Sequence, residues 1–385
     1  MTPPPTPDRS PSSRPLRVLH LAGTLDRGGI ETWLVNLLAQ LPRGEVAMDV
    51  MVVSPDARPG EYADRVRGLG ATLLVAPATG NPLAFAAFFV RALRSHGPYD
   101  VVHSHIHHFG GLALLLARLS GVPVRVATSH LDSRRADMAA TGGRYAYLSA
   151  MRAALGAGIT HRHAVSPEAA AALYGPDWQA LGAQVVTLGV DLQAVRHPGD
   201  LTDLRTELGL TPGVPVFGHV GQFRPQKNHL FLLEAFAAYL ERHGPAHLLL
   251  VGDGPERAAI EERVAALGLA GRVRLLGSRP DVARLLWIMD AFVFPSHFEG
   301  LSLALVEAQA AGLPRVISAG VYHDARMQDA GLQVLPLTAP PAVWADALAQ
   351  AASRGREVPD HLEFDIVQEA RKLGDFYLAA AGETA

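Results

Sequence analysis

The chain has 385 residues, 49% apolar and 18% charged, with a net charge of −3; that is enough for two domains with sizeable cores. It contains no cysteine, which excludes disulfides, thiol nucleophiles and thiolate metal sites. No apolar run approaches the roughly 18 residues of a membrane span, and no basic block argues for nucleic acid as a partner.

Residues 1–15 are rich in Pro, Ser and Thr and lack an apolar core segment. They read as a disordered tail rather than a signal peptide, and a cytoplasmic location is expected. The first strand is predicted over Arg17–Ala22, followed by a loop from Gly23 to Gly29 and a helix from Ile30 to Leu41. Further strands are predicted at Met48–Val53, Thr72–Val75, Val101–His103, Val124–Thr128 and His163–Val165, with helices between them. This βαβ order implies a parallel sheet with helices on both faces, in a domain spanning residues 16–195. A polar, proline-containing stretch, Asp191 to Pro215, reads as a linker.

The alternation then restarts in a second domain, residues 196–360. Strands are predicted at Val216–Val220, Leu248–Val251, Val273–Leu276, Ala291–Phe294 and Arg315–Ser318. Helices are predicted at Leu230–Arg242, Glu256–Leu267, Val282–Met289 and Ser302–Ala311. The final segment, 361–385, carries a helix from Ile366 to Ala380 with room to return to the first domain. The fold class is therefore α/β, with two doubly wound parallel-sheet domains. In such sheets ligands bind beyond the carboxyl ends of the strands. The loops that fall there are Thr24–Gly29, His103–Phe109, His130–Asp132, Gly221–His229, Gly252–Pro255 and Pro295–Gly300.

The segment from Phe298 to Pro314 is the most informative. Glu299 stands in the loop before a helix and Glu307 about two turns in. The helix N-terminus between them exposes unpaired N–H groups and a positive dipole end, which suits an anion. Carboxylates beside it can accept hydrogen bonds from sugar hydroxyls, so the arrangement fits a ligand with phosphate at one end and ribose at the other. The same two residues also fit a helix-cap neighbour and a solvated helix carboxylate. Only Lys227 and Lys372 are lysines among 34 basic residues, which singles out Lys227, because a compact ammonium and a planar guanidinium are not interchangeable at a phosphate.

Residues 1–195 carry 17 basic and 14 acidic side chains, and the remainder 17 and 23. The first half is thus the side suited to an anionic membrane or a phosphorylated acceptor. Arg144, Tyr145, Tyr147 and Arg152 would decorate a helix able to touch a membrane surface. His103, His105, His107 and His108 form a dense group. Without neighbouring acidic residues they are read not as a metal site but with His103 or His105 capping a strand and the others lining the cleft. His161 and His163 read as structural.

Six motifs in order carry a family resemblance. They are Leu25-Asp26-Arg27-Gly28-Gly29-Ile30-Glu31-Thr32, Asp100-Val101-Val102-His103-Ser104-His105, Thr128-Ser129-His130, Gln226-Lys227-Asn228-His229, Gly252-Asp253-Gly254-Pro255 and the Glu299/Glu307 segment. Over nearly all of residues 16–380 the chain resembles the family 4 glycosyltransferases, which are retaining, nucleotide-sugar-dependent enzymes of GT-B fold with two facing Rossmann-like domains. The His103 to Phe109 run and the Gln-Lys-Asn-His motif look most like the transferases of bacterial exopolysaccharide and capsule synthesis.

The resemblance implies that the enzyme moves a hexose from a nucleoside diphosphate sugar, most simply a UDP-sugar, to a glycan or lipid-linked acceptor. It implies no cofactor and no essential metal, with contact at the inner membrane face as a further expectation. It places Glu307 on the ribose, Glu299 on the transferred sugar, and the backbone of Gly300, Leu301 and Ser302 on the diphosphate. Lys227 would stabilise the leaving group, Gly28 and Gly29 would allow close approach to it, and His130 would sit at the reaction centre. Gly252-Asp253-Gly254-Pro255 reads most simply as a strand-to-helix turn, with Asp253 a candidate to face the ligand.

Three departures stand out. The family carries arginine where Gln222 stands, with Arg224 two residues on as a substitute. Its Asn-Gly pair is Leu188-Gly189 here. The pattern after Pro314 is altered at Ser318, Ala319, Tyr322 and His323. An epimerase of the same architecture, or a catalytically impaired sugar-nucleotide-binding scaffold, are the alternative readings.

Overall fold

The computed structural model describes residues 14–77, 80–321 and 330–383. The first sheet holds β1 (Leu16–Ala22), β2 (Val46–Val52), β3 (Leu73–Val75), β4 (Val101–Ser104), β5 (Val124–Ser129), β6 (His161–Ala164) and β7 (Gln184–Val185), in the order β3-β2-β1-β4-β5-β6-β7. The second holds β8 (Val216–Val220), β9 (His247–Val251), β10 (Val273–Gly277), β11 (Ala291–Phe294), β12 (Arg315–Ser318) and β13 (Leu332–Leu335), in the order β10-β9-β8-β11-β12-β13. Every pairing between these strands is parallel. The central strands are apolar and wholly buried, as in β9 and β11, because helices cover both faces of a parallel sheet.

Strand order reverses between β1 and β4 in the first sheet and between β8 and β11 in the second. Crevices therefore open at the carboxyl ends of these four strands. The loops after them carry Gly28, His105, Gln222, Lys227 and Glu299.

Two strands and a helix were not legible. β7 is two residues long, β13 is half exposed, and the helix Pro341–Arg354 opens on the second of two prolines. The predicted linker is more structured than its composition suggests. Short helices at Leu192–Arg196 and Thr202–Glu207 bury Val195 and Leu204, so one apolar cluster continues from Val18 and Val126 through Leu188, Val195 and Leu204 to Phe292 and Leu305. The C-terminal helix, Ile366–Gly382, packs against the first domain's helix Gly29–Gln40. Val190 bridges Asp365, and a Cβ on Gly189 would lie 2.5 Å from the Ile366 backbone. Glycine is required there by close approach, which fits the glycine of the Leu188-Gly189 pair. Tyr322 and His323 lie outside the described residues, as does the tail up to residue 13.

Candidate active site

Two helix N-termini converge across the interdomain cleft. The helix Gly29–Gln40 begins at Gly28 and the helix Leu303–Ala310 at Ser302, and neither receives a side-chain cap. Apart from the Glu31 N–H, which its own carboxylate accepts from, their first N–H groups are left for another acceptor, and both dipoles present positive ends. The approach is tight: a Cβ on Gly28 would come within 3.3 Å of Gln222 Nε2, and one on Gly29 within 3.9 Å of Leu303.

Lys227 follows from the same geometry. The turn Pro225–Lys227 ends at Asn228 in the left-handed conformation (φ 57°), and the next residue opens the helix His229–His243. Gln226 anchors this turn to the opposite loop through its carbonyl, which accepts from His297 N at 2.8 Å, and its side chain, which donates to Phe298 O at 2.9 Å. The Lys227 ammonium consequently sits 2.8 Å from Glu299 Oε1 and 4.6 Å from the centre of the Phe294 ring. The loop 252–254 packs behind it. A Cβ on Gly252 (φ 138°) would collide with Gly221 O and one on Gly254 (φ 157°) with Phe223 O, so both glycines are needed. Asp253 itself is exposed, accepting from Gly254 N at 2.8 Å and pairing with Arg257 at 3.2 Å.

Gly300 brings the second domain against His130, whose carbonyl oxygen would lie 3.0 Å from a Cβ at position 300. Leu301 is half-buried and Ser302 buried. Glu307 occupies the second turn of its helix and keeps partial exposure. Burial pushes its carboxyl up to about 7, with the Asp191 charge adding to the effect. Glu31, within the first glycine motif but given no role from sequence, is a further half-buried carboxylate beside Gly28. Burial pushes it to about 7 against a backbone hydrogen bond and the Arg224 charge. Arg224 is exposed, and its charge acts on this carboxylate.

The histidine reading needs correction. His103 and His105 cap nothing; both are buried in a cluster with His20. The cause is register: His20 on β1 pairs with His103 on β4, so side chains of equal height share one face. His130 Nε2 lies 2.9 Å from His105 Nδ1, and His105 Nε2 lies 3.0 Å from His20 Nδ1. Tyr377 Oη joins His20 Nε2 at 3.2 Å to His103 Nδ1 at 2.5 Å, and His103 Nε2 meets Thr128 Oγ1 at 2.6 Å. His20 and Tyr377 went unrecognised; β1 and β4 register could have indicated the first, but nothing local marks a tyrosine 274 residues from His103. His108 instead binds Asp137 at 2.7 Å, and His161 and His163 pack on Phe376 as structural residues.

His20, His103 and His105 are the one set among the described residues with ligand atoms close enough for a metal, within 4.8 Å of one another. All six of their ring nitrogens already have hydrogen-bond partners, and no carboxylate joins them. The arrangement is that of a hydrogen-bonded cluster.

Residues 27–193 match the family described as Glycosyltransferase Family 4, and residues 214–354 match Glycosyl transferases group 1. The chain is 34% identical to the putative glycosyltransferase EpsF of Bacillus subtilis, over 91% of this chain and 92% of that protein. It is 32% identical to the UDP-Gal:alpha-D-GlcNAc-diphosphoundecaprenol alpha-1,3-galactosyltransferase of Escherichia coli, over 57% of this chain and 58% of that one. Among solved structures, Anabaena HepE in complex with UDP-glucose superposes with a TM-score of 0.72 at 18% identity, covering 94% of this chain and all of that one (100%). WaaG, involved in lipopolysaccharide biosynthesis, superposes with a TM-score of 0.67 at 18% identity, covering 96% and 100%. These likenesses show the GT-B fold.

Proposed function

The chain belongs to the family 4 glycosyltransferases, and from that premise we propose that it is a retaining hexosyltransferase using a UDP-sugar donor and no essential metal. The observation that carries this reading is the convergence of two uncapped helix N-termini, with Lys227 packed against Gly221, next to the Gln222 that meets Gly28, and paired with Glu299. N–H groups and an ammonium fixed around one point suit a departing diphosphate. Lys227 and the Gly300–Ser302 backbone stabilise that leaving group. Glu299 accepts from hydroxyls of the transferred sugar, Glu307 from the ribose, and His130 stands beside the reacting carbon. The bond from the sugar's anomeric carbon to the diphosphate breaks, the acceptor oxygen bonds that carbon on the same face, and the acceptor's proton passes to the phosphate oxygen.

The acceptor is a glycan or lipid-linked saccharide, in keeping with the galactosyltransferase relative, whose name specifies a diphosphoundecaprenol-linked acceptor. No helix among the described residues is long and apolar enough to cross a membrane. Tyr145 and Tyr147, 62% and 42% exposed, are the residues with which a cytoplasmic enzyme would touch the inner membrane face. A second reading, a sugar-nucleotide-binding protein of impaired activity, is favoured by the neutral Gln222 at the family's arginine position. Incubation with UDP-glucose, UDP-galactose and their N-acetyl analogues, with EDTA and a lipid-linked acceptor, decides between them. Acceptor-dependent UDP release with retained anomeric configuration is expected. Saturable binding without release would establish the second reading.

A further inference from the structure

The hydrogen bonds behind His130 form one unbranched chain: Thr128, His103, Tyr377, His20, His105, His130. Burial holds His20 and His130 down to about 3 and pushes His103 and His105 well below the ordinary histidine value. All four rings are therefore neutral at physiological pH. A neutral imidazole has one N–H and one lone pair, so fixing the direction of any one bond fixes every other.

Thr128 sets that direction. Its hydroxyl is buried, and among the described residues His103 Nε2 is the one acceptor for its proton. If Thr128 instead accepted from His103, its own O–H would be stranded inside the sheet, where no ligand reaches it, at its full desolvation cost; the opposite direction moves the one open N–H to His130, against Gly300 in the cleft, where a ligand oxygen can meet it. With Thr128 donating, His103 donates from Nδ1 to Tyr377, Tyr377 to His20 Nε2, His20 Nδ1 to His105 Nε2, and His105 Nδ1 to His130 Nε2. One group is left unmet, the Nδ1–H of His130, whose nitrogen is buried and lacks a protein partner.

We propose that this chain locks His130 as the Nδ1–H tautomer, making it a fixed hydrogen-bond donor to an oxygen of the bound donor sugar or its phosphate, with Tyr377 and Thr128 as positioning residues. The ligand oxygen that fills this position belongs to the donor site proposed above, and the inference rests on that reading for its ligand alone. His130 in this state does not take the acceptor's proton, because its lone pair is already occupied by His105.

The test is nitrogen NMR of histidine-labelled protein without ligand, with the His130 signals identified by their loss in His130→Gln. The expected spectrum has His130 protonated at Nδ1 and bare at Nε2. Thr128→Val, which keeps the shape and removes the donor, should convert it to the Nε2–H form or a mixture. Tyr377→Phe, which breaks the chain midway, should do the same. Where transfer is assayed, each variant should lower kcat roughly tenfold with donor KM within about twofold, a difference of about 1.4 kcal/mol in the barrier. A wild-type spectrum protonated at Nε2, or an unchanged His130 signature in both variants, overturns the inference. An unaltered signature in Thr128→Val alone does so if Tyr377→Phe fails to fold. The correct tautomer in a protein that transfers nothing supports the chain and rejects the enzymatic reading instead.

Discussion

Lys227 and Glu299 meet as an ion pair at 2.8 Å, both largely buried, in loops that follow neighbouring strands β8 and β11. Each fixes the other where a sugar and its diphosphate would meet. Lys227→Met should therefore remove charge from the leaving group and lower turnover by about 10²–10³-fold, the usual cost of one transition-state donor. Steady-state UDP release measures it. A loss confined to KM would place Lys227 in ground-state binding only.

Burial raises the Glu307 carboxyl to about 7, and its carboxylate accepts more strongly than its acid. Affinity for UDP-glucose, which has no phosphate group titrating near neutrality, should weaken as pH falls from 8 to 6. The Glu307→Gln variant should bind about tenfold more weakly at pH 8, the worth of one charged hydrogen bond, and lose the pH dependence. Calorimetry at the two pH values checks both.

Gln222→Arg introduces a cation beside Gly28 and near the half-buried Glu31. Turnover should hold or rise if charge at the diphosphate is limiting. A fall of more than about tenfold, roughly 1.4 kcal/mol, would assign glutamine a role that arginine cannot fill. Parallel kcat and KM measurements distinguish these results.

Stability should fall in acid. His20, His103, His105, His107, His130, His163, His219 and His229 all have ring values lowered by burial. Each contributes stability that is fully present above the unfolded value near 6.5 and is lost as pH falls toward the folded one, at up to about 1.4 kcal/mol per pH unit. Glu31 and Glu307, raised to about 7, act oppositely, contributing below 4.5 and losing it as pH rises through 7. Eight histidines outweigh two acids, so thermal midpoints at pH 7.5, 6.5 and 5.5 should drop steadily. A flat profile would mean that the histidine cluster charges without cost.

The architecture was legible because buried parallel strands are short apolar runs between helical periods; Val216–Val220, Ala291–Phe294 and Arg315–Ser318 fall where the sequence places them. Strand β13 was missed because it has no buried face to impose a pattern. Lys227 and Glu299 were readable because each lies in a loop at a strand's carboxyl end. Glu31 was harder, since a glutamate in a first helical turn is ordinarily a solvated dipole partner. The links of His130 to His20 and Tyr377 depend on the register of β1 with β4 and on the return of the last helix, contacts that no local window contains.

That return also limits modularity. The helix Ile366–Gly382 lies on the first domain, with Gly374 against Leu41 and Pro42, and it supplies the buried hydroxyl between two histidines. A fragment cut after residue 195 would be a domain missing one of its own walls. A chimera that exchanges the second domain would have to keep this last helix with the first, so the seam for such a swap runs through two points in the chain rather than one.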